Sequence, residues 1–218
     1  MNQVSQKEKN TLILFILLSI ALYCIGLKIL TMIMPSVRKD ITARMMEGIT
    51  IFLTIIFSIF TDVKIRKTGL VAPKKNILNT LVRGCIISVG IVIVFIIIRI
   101  VMTYFNPEVA NRPIFKLYLN IGTRKYYLLI AFVQEFLAKA VMQENMDRLV
   151  GEDNTFLSIT ICSLILIIFH TGYPLYYMIF AGILGMVTGY IYKKDKCILG
   201  CVIIHFCLGF LPRAMGLK

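Results

Sequence analysis

Seven hydrophobic stretches divide this chain, and most of them approach the 20 or so residues that a helix needs to cross a bilayer. Inside hydrocarbon every backbone N–H and C=O group must find its partner within the protein, so such stretches form helices. The predicted spans are residues 11–34, 41–60, 77–104, 126–142, 156–170, 174–192 and 197–211, the last of them stopped by Pro212. We therefore predict an all-α, polytopic membrane bundle of about seven transmembrane helices.

The composition excludes the common classes of soluble protein. Charged residues make up 16% of the chain and hydrophobic residues 58%, whereas a soluble domain carries roughly 25% charged residues. We predict one transmembrane domain over residues 1–218. The net charge of +13 is spread over the segments between the spans, which favours contact with anionic membrane lipids and not with nucleic acid.

The basic residues also bear on the orientation in the membrane. The loop after the second span is the most basic and is predicted to be cytoplasmic, which places the N-terminus inside. Its basic residues are Lys64, Arg66, Lys67, Lys74 and Lys75. The loop before the fourth span is also basic and would then lie outside, which weakens this prediction. Its basic residues are Arg112, Lys116, Arg124 and Lys125.

Three ionisable residues interrupt the last four apolar segments, which we predict to form one four-helix unit over residues 126–212 because the final two connections are short. They are Glu135, His170 and His205. A charged group at membrane depth costs roughly 2.5–3.5 kcal/mol on insertion scales, so such groups usually face a protein-lined cavity. We predict that the three converge on one cavity. Lys139 lies one helical turn after Glu135, and we expect the two to form an ion pair.

This set of side chains suits proton chemistry. A carboxylate and an imidazole move protons to and from a water molecule, and a second imidazole stabilises a developing oxyanion. A structural alternative stays open for each residue, since polar side chains also form hydrogen bonds between membrane helices.

The cysteines raise the question of a metal. Cys197, Cys201 and His205 are spaced four apart on one helix face, but they span about 12 Å, too far to share one ion. A zinc site built from Cys201 and His205, and completed by His170 or Glu135, stays open as an alternative. We favour ordinary packing of these cysteines, with no metal and no cofactor.

The order and spacing of these residues resemble the motifs of the CPBP family (CAAX-protease and bacteriocin-processing, or Abi) of intramembrane proteins. Its first motif, Glu-Glu, three residues and Arg, is similar to Gln134–Lys139 (QEFLAK). Its second, Phe, three residues and His, resembles Leu166–His170, and its third, His, three residues and Asn or Asp, resembles His205–Gly209. The resemblance covers residues 126 to the C-terminus and implies a multi-pass protein of the bacterial plasma membrane.

Three departures from the family pattern bear on activity. In proteolytic members the first glutamate works with a histidine to activate water, and here Gln134 is an amide that accepts no proton. Gly209 replaces the asparagine that helps to polarise the carbonyl, and Lys139 replaces an arginine. Losing the base and the oxyanion donor would each lower the rate, by about 10²–10⁴ and 10²–10³.

The resemblance with these departures implies a divergent site, with Glu135, His170 and His205 as catalytic candidates and Gln134, Lys139 and Gly209 in supporting positions. Such a protein would bind or help to modify a lipid-modified or membrane-anchored peptide, as a component of bacterial lipoprotein N-acylation beside a separate catalytic protein. Two alternatives stay open. One is an active glutamate/histidine intramembrane protease that uses Glu135, and the other is a non-enzymatic bacteriocin-immunity or regulatory scaffold.

Overall fold

The computed structural model describes residues 5–37, 39–60, 74–116, 126–151 and 153–217. Every regular element in these ranges is helical, and they contain no strand, which confirms the predicted all-α class. Of the basic residues used to predict orientation, Lys64, Arg66, Lys67, Arg124 and Lys125 lie outside the described residues.

The helices are numbered here in the order of the chain. They are α1 (Gln6–Ile33), α2 (Lys39–Phe60), α3 (Lys74–Phe105), α4 (Pro107–Ala110), α5 (Tyr127–Glu135), a π-helical segment (Phe136–Gln143), α6 (Glu144–Val150), α7 (Thr155–Phe169), α8 (Leu175–Asp195) and α9 (Leu199–Ala214). Local chemistry marks several of their ends. The Ser5 hydroxyl accepts a hydrogen bond from the Glu8 amide at the start of α1, as N-cap side chains do. Gly151 ends α6 with a φ of +93°, a backbone conformation that suits glycine.

Three of the described helices are long and apolar enough to cross a membrane: Gln6–Ile33, Lys75–Phe105 and Leu175–Asp195. Thr155–Phe169 and Leu199–Ala214 are apolar but shorter. Helices therefore occupy the predicted segments, while a crossing of the bilayer by all seven of them stays a prediction.

Two predicted boundaries are wrong. Pro212 does not stop the last helix, which continues to Ala214, because a proline near a helix end removes only one of the last backbone hydrogen bonds. The helix that begins at Tyr127 does not end at Met142. It passes through the π-helical segment and continues as α6 to Val150. The predicted span ended too early because it was defined by apolar residues, and α6 is mostly polar.

The described chain forms two compact units, and residues 126–212 contribute to both. The first unit is Met1–Thr68 with Leu137–Tyr190. In it α1 packs against α2, α6 and α7. Its core is a cluster of Met146, Cys162 and Ile165.

The second unit is Gly69–Phe136 with Ile191–Lys218. Here α9 packs against both α3 and α5. The close approach of α3 and α9 depends on glycine, because a Cβ atom on Gly84 would lie 2.8 Å from the Cα of Gly200. An ion pair between Arg83 and the buried Asp195 ties α3 to the end of α8. The second unit thus supports the two helices, α5 and α9, that carry Glu135 and His205.

Candidate active site

Glu135 and His205 form a buried carboxylate–imidazole pair. Glu135 is the last residue of α5, and His205 lies in the middle of α9, which packs against α5. The Nδ1 atom of His205 lies 2.8 Å from the Oε1 atom of Glu135, within hydrogen-bond distance. The two residues are only 3% and 9% exposed. Two polar side chains from apolar helices therefore compensate each other's burial.

The second carboxylate oxygen of Glu135, Oε2, differs from the first in having no hydrogen-bond partner among the described residues. This oxygen is also buried. A buried polar atom without a partner costs about 1–3 kcal/mol, and in native proteins such an atom calls for a particular explanation. A carboxylate oxygen in this position can accept a proton or a hydrogen bond from a water molecule.

Tyr127 borders the imidazole. Its ring meets the ring of His205 edge-on, with centroids 6.2 Å apart and an interplanar angle of 68°. It also lies 6.0 Å from the ring of Phe206. The sequence patterns gave Tyr127 no role. It lies two helical turns before Glu135, and this spacing alone does not distinguish it from any other tyrosine at a membrane interface.

The predicted ion pair between Glu135 and Lys139 is wrong. The Nζ atom of Lys139 donates a hydrogen bond to the carbonyl oxygen of Gly185 on α8, at 3.1 Å, while Glu135 bonds to His205. Lys139 is fully buried. Four residues later the amide of Gln143 makes the same contact with the carbonyl oxygen of Gly189, at 2.9 Å.

The π-helical segment explains this outcome. It begins at Phe136, directly after Glu135, and its i→i+5 hydrogen bonds widen the turn. The rule that residues i and i+4 share a face holds for the α-helix and fails here. Lys139 and Gln143 instead donate to the backbone carbonyl oxygens of two glycines on α8, Gly185 and Gly189.

His170 belongs to the first unit, at the C-terminal end of α7. Its Nδ1 atom lies 2.8 Å from the carbonyl oxygen of Leu166. A carbonyl can only accept, so Nδ1 carries the hydrogen, and in the neutral ring Nε2 has the lone pair. The ring also packs against that of Tyr173, at 5.6 Å. The convergence of His170 with Glu135 and His205 stays a prediction.

Two further candidate positions, Gln134 and Gly209, lie on the same two helices as the pair. Gln134 is half-buried on α5, next to Glu135. Gly209 lies one turn after His205 on α9. In the ranges that the structure describes, no group of three or more His, Cys, Asp or Glu side chains is placed to hold a metal ion. The zinc alternative with Cys201 and His205 therefore has no support in the geometry. None of the six cysteines, all of which lie in the described ranges, forms a disulfide bond.

A comparison with protein families identifies the family of this chain. The family described as Type II CAAX prenyl endopeptidase Rce1-like matches residues 92–211, more than half of the chain. The chain belongs to this family. No curated protein and no solved structure matches it.

Membership confirms the resemblance drawn from the three motifs, since Rce1-like proteins are part of the CPBP family. The matched range contains Glu135, His170 and His205 together with the whole of α5 and most of α9. This chain is therefore a membrane protein of the Rce1-like family.

Proposed function

We propose that this chain is an intramembrane peptidase that cleaves a lipid-modified or membrane-anchored peptide, with Glu135 and His205 as its catalytic pair. The observation that carries the proposal is the hydrogen bond of 2.8 Å between Oε1 and Nδ1. Beside it lies Oε2, for which the described part of the chain supplies no hydrogen-bond partner. Membership in a family of prenyl endopeptidases supports the choice of reaction and of substrate class.

The chemistry follows from the two oxygens of Glu135. Oε2 accepts a proton from a water molecule while the water oxygen forms a bond with the peptide carbonyl carbon. The carbon–nitrogen bond then breaks, and Glu135 returns the proton to the leaving amine nitrogen. The products are a carboxylic acid and an amine. His205 holds the carboxylate through Oε1 throughout, so the base keeps its position in a buried site.

Gln134 favours a second function, the non-hydrolytic one. Its side chain is an amide that cannot take up a proton, so only one carboxylate remains at the position where the family pattern has two. In this role the chain would bind a lipidated peptide for a separate catalytic protein, such as one that N-acylates bacterial lipoproteins in the plasma membrane. The buried Glu135–His205 pair would then orient the peptide instead of hydrolysing it.

A peptidase assay with purified protein separates these functions. The protein in lipid vesicles is mixed with a prenylated peptide or a membrane-anchored peptide, and the released amine is measured. We expect cleavage by the wild-type chain and a loss of about 10²–10⁴-fold in Glu135→Gln, because the amide removes the base. Glu108→Gln is the matched control, since the Glu108 side chain is 82% exposed.

Other outcomes are equally informative. Cleavage that Glu135→Gln leaves intact would contradict the proposed catalytic pair. An absence of cleavage by the wild-type chain, together with altered lipoprotein N-termini in cells that carry His205→Ala, would favour the acylation partner. Gln134→Glu adds a second carboxylate beside Glu135, and we expect it to increase the rate of a weak peptidase.

A further inference from the structure

The side chain of Tyr127 occupies the space beside Gly209. A Cβ atom built on Gly209 would lie 2.6 Å from Cζ of Tyr127, 3.0 Å from its Cε1, and closer still to its hydroxyl oxygen. Such distances are too short for any side chain at this position while Tyr127 keeps its place. Glycine at 209 is therefore a steric requirement of the tyrosine.

This arrangement brings a hydroxyl group to the face of α9 that carries His205. Gly209 follows His205 by one helical turn, so the two residues share a face, and the Tyr127 ring contacts the imidazole ring edge-on at 6.2 Å. The aromatic neighbours on α9, Phe206 and Phe210, stack on each other at 5.2 Å and offer no side-chain acceptor or donor. The phenol is thus a polar group that α5 supplies to an otherwise apolar stretch of the site.

We infer that the hydroxyl group of Tyr127 is a hydrogen-bond donor to the substrate carbonyl, a catalytic role that rests on the peptidase function proposed above. As water adds to the carbonyl carbon, the carbonyl oxygen becomes an oxyanion, and a donor aimed at it stabilises the transition state. A tyrosine hydroxyl is suited to this task because it carries an O–H donor at the end of a rigid ring. Tyr127 then takes the place of a side chain that α9 lacks at Gly209.

The first test removes only the hydroxyl group. Tyr127→Phe keeps the ring against His205 and Phe206, so we expect the protein to remain folded with an unchanged KM. We expect kcat for the prenylated or membrane-anchored peptide to fall by about 10²–10³-fold, as it does when one oxyanion donor is lost. Tyr126→Phe is the matched control, because Tyr126 is the neighbouring residue and is 53% exposed.

The second test exchanges the donor between helices. Gly209→Asn alone places a side chain in the space of Tyr127 and should abolish activity. Tyr127→Ala with Gly209→Asn vacates that space and supplies an amide donor from α9 instead. We expect this double variant to be more active than Tyr127→Ala with Gly209→Leu, which refills the same space with a side chain of similar size that carries no donor. Equal activity of the two double variants would show that Tyr127 only fills space.

The outcomes distinguish this inference from the proposed function. Full activity of Tyr127→Phe, in an assay where Glu135→Gln is inactive, would overturn the role of Tyr127 and leave the peptidase standing. A fall in melting temperature and a rise in KM without a change in kcat would make Tyr127 a packing residue and would also overturn the inference. An absence of cleavage by the wild-type chain would overturn both.

Discussion

The buried lysine of the π-helical segment provides a test of how this fold is held together. Lys139 is fully buried, and its ammonium group donates to the carbonyl oxygen of Gly185. Lys139→Ala removes this charged hydrogen bond, worth about 1.5–3 kcal/mol, and leaves a cavity, for which truncation of a long side chain costs about 2–5 kcal/mol. Removing a desolvated charge returns part of that cost, so we expect a net loss of about 3 kcal/mol.

A loss of this size is measurable in the purified protein. For a chain of this length 1 kcal/mol corresponds to roughly 2–4 °C in melting temperature, so Lys139→Ala should melt roughly 6–12 °C below the wild type in detergent. Lys194→Ala is the control, since Lys194 is exposed on α8 and its change should stay within about 0.5 kcal/mol.

A second variant separates volume from charge. Lys139→Met keeps a side chain of similar length but removes the hydrogen bond and the buried charge together, and these effects oppose each other. The carbonyl of Gly185 lies within α8, so it retains the helical environment when the lysine is gone. We expect Lys139→Met to melt within a few degrees of the wild type. Equal, negligible shifts for Lys139→Ala and Lys194→Ala would refute the reasoning, and an equally large loss in Lys139→Met would assign the stability to the hydrogen bond.

Two further predictions concern packing and charge, each read as a melting temperature. Gly185→Ala would place a Cβ atom 2.8 Å from a serine hydroxyl of α7 and should cost about 1–3 kcal/mol. Gly90→Ala, whose Cβ would have no neighbour within 4 Å among the described residues, should instead stabilise α3 by about 0.5–1 kcal/mol. A change in melting temperature of the same sign for Gly185→Ala and Gly90→Ala would contradict the packing argument. Arg83→Met strands the buried carboxylate of Asp195 and should cost about 3 kcal/mol, whereas Arg112→Met breaks a largely exposed pair and should cost less than about 1 kcal/mol.

The sequence alone was enough to predict the helices and the family. Helix formation in an apolar environment depends on each segment by itself, because every backbone hydrogen bond closes within a few residues. The motif positions are likewise local, so Glu135, His170 and His205 were found by their rarity in apolar segments. The end of the last helix was mispredicted, because Pro212 acts only on the turn that contains it.

The partners of these residues depended on tertiary structure. The pairing of Glu135 with His205 requires α5 to pack against α9. The sequence pattern of either helix does not predict which other helix it packs against. The contact of Lys139 with Gly185 follows from a change in helix type that shifts every later side chain around the axis. Tyr127 and Gly209 lie far apart in the chain, and only the packed helices show that the absence of one side chain makes room for the other. Distances between helices are set by the packing of many side chains together. A sequence pattern that repeats with each helical turn therefore does not predict which residues of two helices come into contact.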